Sequence, residues 1–150
     1  MGFKIFVGDH TLINWISKQL KTEFSPTDSC FGICDDSGKI LAAVCYNYYC
    51  PPNIELSIAS VSPKWATRKF IHLALSYPFM QLGCNRITTR ISKYNKKTKC
   101  LAERIGFKSE GALREAGKNG ETLIIYGYLK KEFLRSKWHV LRITQNTSST

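Results

Sequence analysis

The sequence has no long apolar run. Nowhere does a hydrophobic stretch approach the roughly 18 residues needed to cross a bilayer. The first six residues, MGFKIF, lack the apolar region of a secretory signal peptide, and Phe6 stands where an N-myristoylation motif requires Ser or Thr. We therefore expect a cytoplasmic protein that does not interact with membranes.

Acidic residues are also scarce. The chain has 11 Asp and Glu against 22 Lys and Arg, which gives a formal net charge of +11 at pH 7. A chain with this excess attracts anions, so RNA or another polyanion and phosphate-bearing cofactors are candidate partners. The alternative is a solvated basic surface that only keeps the protein soluble.

Metal-binding motifs are missing as well. Neither the Cys30–Cys34 pair nor the Cys45–Cys50 pair has the two-residue gap typical of zinc sites. In a reducing compartment, free thiols behave as small core residues. We predict no metal site, and we expect most of the six cysteines to pack in strands. They are Cys30, Cys34, Cys45, Cys50, Cys84 and Cys100.

The chain contains neither an internal repeat nor a linker. Its 150 residues, 43% of them hydrophobic, suit one globular domain with its own core. We place that domain at residues 1–143. Residues 144–150 are polar, and we expect them to form a frayed tail.

Hydrophobic periodicity predicts a mixture of strands and helices. Asp35-Asp36-Ser37-Gly38 is a hairpin signal, because Asp and Gly accept the backbone angles of a tight turn. The predicted strands are Lys4–Val7, Cys30–Cys34, Lys39–Tyr49, Ile54–Val61, Arg86–Ile91, Phe107–Ala116 and Thr122–Leu129. The predicted helices are Thr11–Lys21, a segment from Arg68 to Leu82, residues 96–105, and a short element from Lys130.

The most informative segment is NKKTKCLAERIGFKSEGALR, residues 95–114. Asn95 can cap a helix, and Gly106 can end it with a positive φ. This segment resembles the GNAT acetyltransferases, in particular the ribosomal-protein alanine N-acetyltransferase type, whose signature is N-x-x-S-x-r-l-x-e-k-l-G-F-x-x-E-G-x-l-R. The resemblance extends over about residues 54–133. It implies an α+β fold of six to seven mostly antiparallel strands, with helices on both faces and a splayed central strand pair.

The resemblance also implies an activity, the transfer of an acetyl group from acetyl-CoA to a primary amine. The acceptor would be a protein N-terminus, a lysine, a small amine or an aminoacyl-tRNA, and we expect a monomer or homodimer. In the family, the strand that matches Ile54–Val61 binds the pantetheine arm. This implies cofactor contacts from Ala59, Ser60 and Val61, whose amides would also stabilise an oxyanion.

Further cofactor contacts are implied at two helix starts. Asn95 would bind the pantetheine region or an ordered water while also capping the helix, and Thr98 lies one turn further on. At the other helix, the family carries a glycine-rich pyrophosphate turn, and none of those glycines is present here. A helix start still offers free N–H groups. The implied ligands are Trp65, Ala66, Thr67, Arg68 and Lys69, with Arg68 as the main side chain.

These positions also have a structural interpretation, in which Trp65 packs and the basic side chains are solvated. Two interpretations also stay open for three tyrosines, Tyr46, Tyr48 and Tyr49. Their rings pack in the core, or their hydroxyls project into the groove that binds the acceptor. The loops at residues 23–29 and 117–121 would select the acceptor.

For proton transfer, Glu55 is the best carboxylate for a general base, acting directly or through water. The alternative is an exposed strand Glu. In many family members, a Tyr on the helix after the Asn acts as the general acid that protonates the leaving thiolate. This chain has Ala102 at that position. The acid is therefore absent, replaced by Tyr126, or unnecessary because a thiolate leaves readily. Ser60 and Glu110 are further candidates by resemblance.

A second functional class stays open. The missing glycines, the missing Tyr and the basic charge would also suit a non-catalytic GNAT-fold module that binds nucleic acid or an acidic protein partner.

Overall fold

The computed structural model describes residues 2–140. The predicted tail at residues 144–150, and with it the proposed domain boundary at 143, lies outside them. The strands are β1 (Phe3–Val7), β2 (Ser29–Asp35), β3 (Ile40–Cys50), β4 (Asn53–Ser60), β5 (Arg86–Ser92), β6 (Lys108–Leu113) and β7 (Leu123–Leu129). The helices are α1 (His10–Leu20), α2 (Arg68–Ser76), α3 (Lys96–Ile105) and α4 (Lys130–Leu134).

All seven strands form one mixed sheet in the order β1-β2-β3-β4-β5-β7-β6. Neighbouring strands are antiparallel except β4 and β5, which are parallel. A parallel pair needs a crossover connection, and here α2 supplies it. The predicted α+β class with mostly antiparallel strands is confirmed.

Alternation along the strands separates two apolar clusters. On one face, Leu12, Ile13 and Ile16 of α1 pack against Ala43, Cys45 and Ala59, together with Cys30. The opposite face carries the larger cluster, with Phe70 of α2, Ala102 of α3 and Phe133 of α4. Helices thus cover both faces, as predicted. We call these the α1 face and the α2 face.

Local sequence signals position most element ends. The Asp9 side chain accepts a hydrogen bond from the Thr11 amide at 2.9 Å and caps α1. The turn after β2 closes through Asp35, whose Oδ1 accepts from the Ser37 amide. After α2 the chain forms a π-helical turn over Tyr77–Gln81, because Pro78 has no N–H to continue an α-helix.

The predicted bounds were wrong at the hairpin near the C-terminus. The first arm was predicted to run to Ala116, but β6 ends at Leu113, and Glu115 adopts φ 55°. A backbone in this left-handed region cannot continue a strand, so the tip of the hairpin begins earlier than the sequence pattern suggested.

All six cysteines are free, and Cys30, Cys45 and Cys84 are buried. Burial raises the pKa of Cys45 to about 12, so this thiol stays neutral. Cys50 and Cys100 are exposed, which differs from the packing expected for most of the set. Within residues 2–140, no cluster of three or more His, Cys, Asp or Glu side chains is arranged to hold a metal ion. None of the helices described there is both long and apolar enough to span a bilayer.

Candidate functional site

The two central strands separate. β4 and β5 pair only where both begin, at Asn53 with Arg86, Ile54 with Ile87 and Glu55 with Thr88. β4 then continues to Ser60 beside β3, and β5 continues beside β7. The result is a fork that opens after Glu55. The predicted splayed pair is therefore present.

One edge of β4 is free inside this fork. In an antiparallel pair, alternate residues direct their backbone groups toward the partner strand and away from it. Val61 donates to the Leu41 carbonyl at 2.9 Å, so Val61, Ala59 and Ser57 face β3. Between them, Ile58 and Ser60 direct their N–H and C=O groups into the fork. Leu56 faces the same side, but its amide takes part in the pairing of Glu55 with Thr88. We call Ile58 and Ser60 the free edge.

The free edge changes the predicted set of donors. Among Ala59, Ser60 and Val61, only Ser60 has its amide on the open side. The Val61 amide is already bonded to Leu41, and the Ala59 side chain packs under α1. The sequence pattern pointed to β4, but it did not indicate which alternate residues of β4 face the fork, because that depends on the register with β3.

An ion pair closes the vertex of the fork on the α1 face. Arg90 of β5 donates to Glu55 Oε1 from Nε at 3.1 Å and from Nη2 at 2.8 Å. Glu55 is the last residue of β4 that pairs with β5, so its carboxylate lies where the cleft begins. The sequence pattern points to Glu55 but carries no signal for Arg90, which lies 35 residues away in the chain.

The turn after β4 leads to the start of α2. Ser62 caps a 3-10 turn over Pro63–Trp65, and Thr67 caps α2 by accepting from the Phe70 amide at 3.2 Å. Capping leaves the Arg68 and Lys69 amides at the helix start without an intrahelical acceptor. The first turn of α2 contains no acidic residue. Backbone donors and basic side chains thus collect at the open end of the fork.

Trp65 does not face this basic region. Its side chain is 6% exposed and packs edge-on against Phe70, with ring centroids 6.0 Å apart. It lines a small apolar cavity of about 50 Å³ between the two central strands, α2 and α3. The Trp65 side chain is therefore a packing residue, which is one of the two interpretations that the sequence left open.

Arg68 makes contacts that the sequence did not reveal. Its Nη2 donates to the carbonyls of Lys137 and Val140, the latter at 3.2 Å. His72 Nδ1 donates to the Trp138 carbonyl at 2.6 Å. Residues 136–140, which we call the C-terminal segment, are thus fastened to α2. A cavity of about 340 Å³ lies between this segment, Ala66 and α3.

Comparisons with known proteins agree with this geometry. No family model and no curated protein matches the sequence. Among solved structures, mutant forms of the spermidine/spermine N-acetyltransferase SpeG from Vibrio cholerae have a TM-score of 0.70 at 18% identity, over 89% of this chain and 98% of theirs. The dodecameric spermidine N-acetyltransferase from the same organism, in an intermediate state, has a TM-score of 0.69 at 20% identity, over 89% and 96%. A chimera of SpeG and hSSAT has a TM-score of 0.68 at 19% identity, over 91% and 100%.

The chain has the GNAT fold. At these identities the comparison concerns the fold alone, and the similarity to the ribosomal-protein alanine type stays a prediction. Within the GNAT fold, the fork matches the splayed central strand pair that the sequence resemblance implied, and α3 follows its second strand, β5.

Asn95 begins α3, as predicted. Its Oδ1 accepts from the Thr98 amide at 3.2 Å, so the N-capping role is present. Its side-chain NH₂ group is not required for that role and is a possible donor to a ligand. Thr98 and the buried Ala102 line the small cavity beside Trp65.

Tyr126 and Glu55 lie on opposite faces of the sheet. Tyr126 belongs to the large cluster on the α2 face, where its hydroxyl donates to Glu103 Oε1 of α3 at 3.2 Å. Burial, followed by the bond to Glu103, raises the pKa of Tyr126, which keeps the phenol protonated at neutral pH. Glu110 also lies away from Tyr126, because it is ion-paired with Arg86.

The three tyrosines of β3 separate into two groups. The buried Tyr46 donates its hydroxyl to the Ala74 carbonyl of α2 and packs in the core. Tyr48 is 71% exposed at a positive φ of 50°, and Tyr49 is also exposed. Only the latter two could contact a ligand that approaches this end of the sheet.

Proposed function

We propose that this protein is an acetyl-CoA-dependent N-acetyltransferase that acts on a primary amine. The observation that carries the proposal is the fork with its free edge in a chain of the GNAT fold. A strand edge inside a sheet presents unpaired amides and carbonyls, which suit an extended ligand with amide groups of its own. The pantetheine arm of coenzyme A is such a ligand.

The start of α2 supports the same ligand at its other end. Phosphate groups bind where helix N–H groups and basic side chains meet. Lys64, Arg68 and Lys69 cluster here, and the adjacent cavity contains Arg104 and Lys137. Amide-binding and phosphate-binding features thus occur in the order that an arm followed by phosphates requires.

Each chemical role has a candidate among the described residues. Bound acetyl-CoA would supply an activated acetyl group. The Ser60 amide faces the cleft and would donate to an oxyanion, and Asn95 would orient the arm. Glu55 at the vertex would take the proton from the attacking ammonium, directly or through water. Tyr126 is the candidate acid, and its hydroxyl lies on the α2 face of the sheet.

The acceptor would be a protein N-terminus, a lysine side chain, a small amine or an aminoacyl-tRNA. The structural neighbours are named for spermidine, which makes a polyamine one member of this class to test. We expect the exposed Tyr48 and Tyr49 and the loops at residues 23–29 and 117–121 to select the acceptor.

Two measurements test the proposal. Acetyl-CoA at about 100 times its Kd should stabilise the protein by about 2.7 kcal/mol, which raises the Tm by about 5–10 °C for a chain of this size. Labelled acetyl-CoA incubated with peptides, polyamines and charged tRNA should label an amine detectable by mass spectrometry.

The competing function is a non-catalytic module that binds a polyanion. It is favoured by Ala102, which stands where many family members have a Tyr that acts as the general acid. The same titration separates the two functions. If RNA raises the Tm, with a steep salt dependence, and acetyl-CoA does not, the enzyme proposal is wrong.

A further inference from the structure

The C-terminal segment encloses a cavity next to the start of α2. Trp138 and Lys137 form one side of this cavity, Ala66 forms a second, and Arg104 of α3 forms a third. Its volume of about 340 Å³ can hold several phosphate-sized groups with water. The cavity is therefore large enough for part of a ligand.

The charges in this cavity all have one sign. Arg104 and Lys137 are exposed cations, and none of the described residues that line it is acidic. Lys137 Nζ lies 4.8 Å from the centre of the Trp138 ring, which keeps the ammonium beside the cavity. An anionic ligand would satisfy both cations at once.

The C-terminal segment is fixed by side chains rather than by regular structure. Arg68 binds the carbonyls of Lys137 and Val140, and His72 binds the carbonyl between them. Ser76 contacts His72 Nε2 at 3.2 Å, which fixes the imidazole ring. Three hydrogen bonds from two side chains of α2 thus determine where Lys137 and Trp138 lie.

We infer that the C-terminal segment is the outer wall of a phosphate-binding pocket, in which Arg104 and Lys137 contact the phosphates of a nucleotide-bearing thioester cofactor. Arg68 and His72 are positioning residues for this wall. The inference rests on the proposed function. It gives Arg68 a role different from direct phosphate binding, because its guanidinium already has two carbonyl acceptors.

The first test is calorimetric titration of coenzyme A at fixed ionic strength. Lys137→Glu and Arg104→Glu should each weaken binding about tenfold or more, because a charge-assisted contact becomes a repulsion. Lys137→Arg should bind nearly as wild type does. Lys4→Glu, at an exposed position of the edge strand β1, changes the net charge equally and should alter the Kd by less than about twofold. Melting curves without ligand establish that each variant is folded.

The second test is a double-mutant cycle, which separates positioning from direct contact. Arg68→Ala alone should weaken binding about fivefold because the wall is released. In the Lys137→Glu background the same change should add less than about twofold. If the two effects multiply fully, Arg68 binds phosphate itself and the positioning role is wrong. If Arg68→Ala tightens binding, the segment obstructs the pocket and the inference is overturned.

Coenzyme A binding to the wild-type protein tells a wrong wall from a wrong proposed function. If wild-type protein binds coenzyme A and the Lys137 and Arg104 variants behave like Lys4→Glu, only the wall is wrong. If wild-type protein does not bind coenzyme A at all, the proposed function is wrong, and this inference with it.

Discussion

The most consequential single residue is Glu55, because of where its carboxylate lies. Both hydrogen bonds from Arg90 go to Oε1, at the point where β4 and β5 part. The pairing directs the carboxylate across the vertex of the fork. A base held in this way needs little reorganisation when an ammonium reaches the cleft.

Glu55→Gln should lower the acetylation rate at saturating substrates by at least about a hundredfold, since it removes a base and keeps the shape of the side chain. Rates should be measured across pH, because loss of a base also removes its limb of the pH profile. Glu115→Gln, which makes the same change at an exposed carboxylate near the hairpin tip, is the control and should retain wild-type turnover. A Glu55→Gln enzyme with wild-type rates would exclude Glu55 as the base.

A second residue-scale prediction concerns the end of α3. Gly106 has φ 127°, and a Cβ there would lie 2.5 Å from Tyr128 Cε2 in the core. Gly106→Ala should lower the free energy of unfolding by at least about 2 kcal/mol, combining strain with a clash.

Gly38→Ala is the matched control for this change. Gly38 also has a positive φ, of 86°, but a Cβ there would meet nothing within 4 Å. It should cost only the backbone strain, about 1 kcal/mol. Urea unfolding measures both variants. Equal losses would mean that Tyr128 moves aside and that the contact is unimportant.

At the scale of elements, β4 has two different edges. Ala59 bonds to β3, whereas Ser60 faces the fork. Proline removes an N–H group, and its effect therefore depends on which edge it occupies. Adjacent residues of one strand can thus separate folding from ligand binding.

Ser60→Pro should weaken coenzyme A binding about tenfold while the Tm falls by only a few degrees. Ala59→Pro should unfold the protein or lower its Tm far more, because it breaks a ladder bond at a buried position. Calorimetry and melting curves on both variants provide the comparison. If Ser60→Pro binds coenzyme A as wild type does, the free edge does not hold the cofactor.

The link between β5 and β6 is electrostatic and passes over β7. Hydrogen bonds from Arg86, one of them 3.1 Å long, hold the pKa of Glu110 below its ordinary value. Because the pKa is lower in the folded state, the ionised carboxylate stabilises the fold above the pKa of the unfolded chain, near 4.3. That contribution is lost as the pH falls through the lower, folded value.

Glu110→Gln should therefore lower the Tm slightly at pH 7, by the equivalent of about 1 kcal/mol or less for a half-exposed pair. The difference from wild type should shrink as the pH falls below about 4. Melting curves at a series of pH values follow this change. A Tm difference that stays constant down to pH 3 would show that the ion pair is not its cause.

At the scale of the whole molecule, local signals predicted more than distant ones. The bounds of α3 were correct because Asn95 and Gly106 act on their own neighbours in the chain. The fork could be expected only through resemblance, since no local pattern states that two strands separate. The two contacts of Arg68 join residues 69 and 72 positions apart, and no sequence pattern at Arg68 indicates them.

The surroundings of Ala102 depend on the assembled sheet and not on its neighbours in the chain. The resemblance placed Ala102 where many family members carry a Tyr, but it could not indicate which side chains surround that position. In the structure Ala102 is buried beside a small apolar cavity, and Tyr126 reaches α3 from β7 instead. The position of Tyr126 is set by the register of β7 with β5, and this register is a property of the assembled sheet.

The fork has a consequence for deuterium exchange. Amides of a central strand normally exchange last, because both neighbours protect them. In β4 the protection should alternate, with Ser57 and Ala59 slow and Ile58 and Ser60 fast. Adding coenzyme A should slow the fast pair and leave the slow pair unchanged, so that the pattern of odd and even amides reports occupancy of the cleft residue by residue.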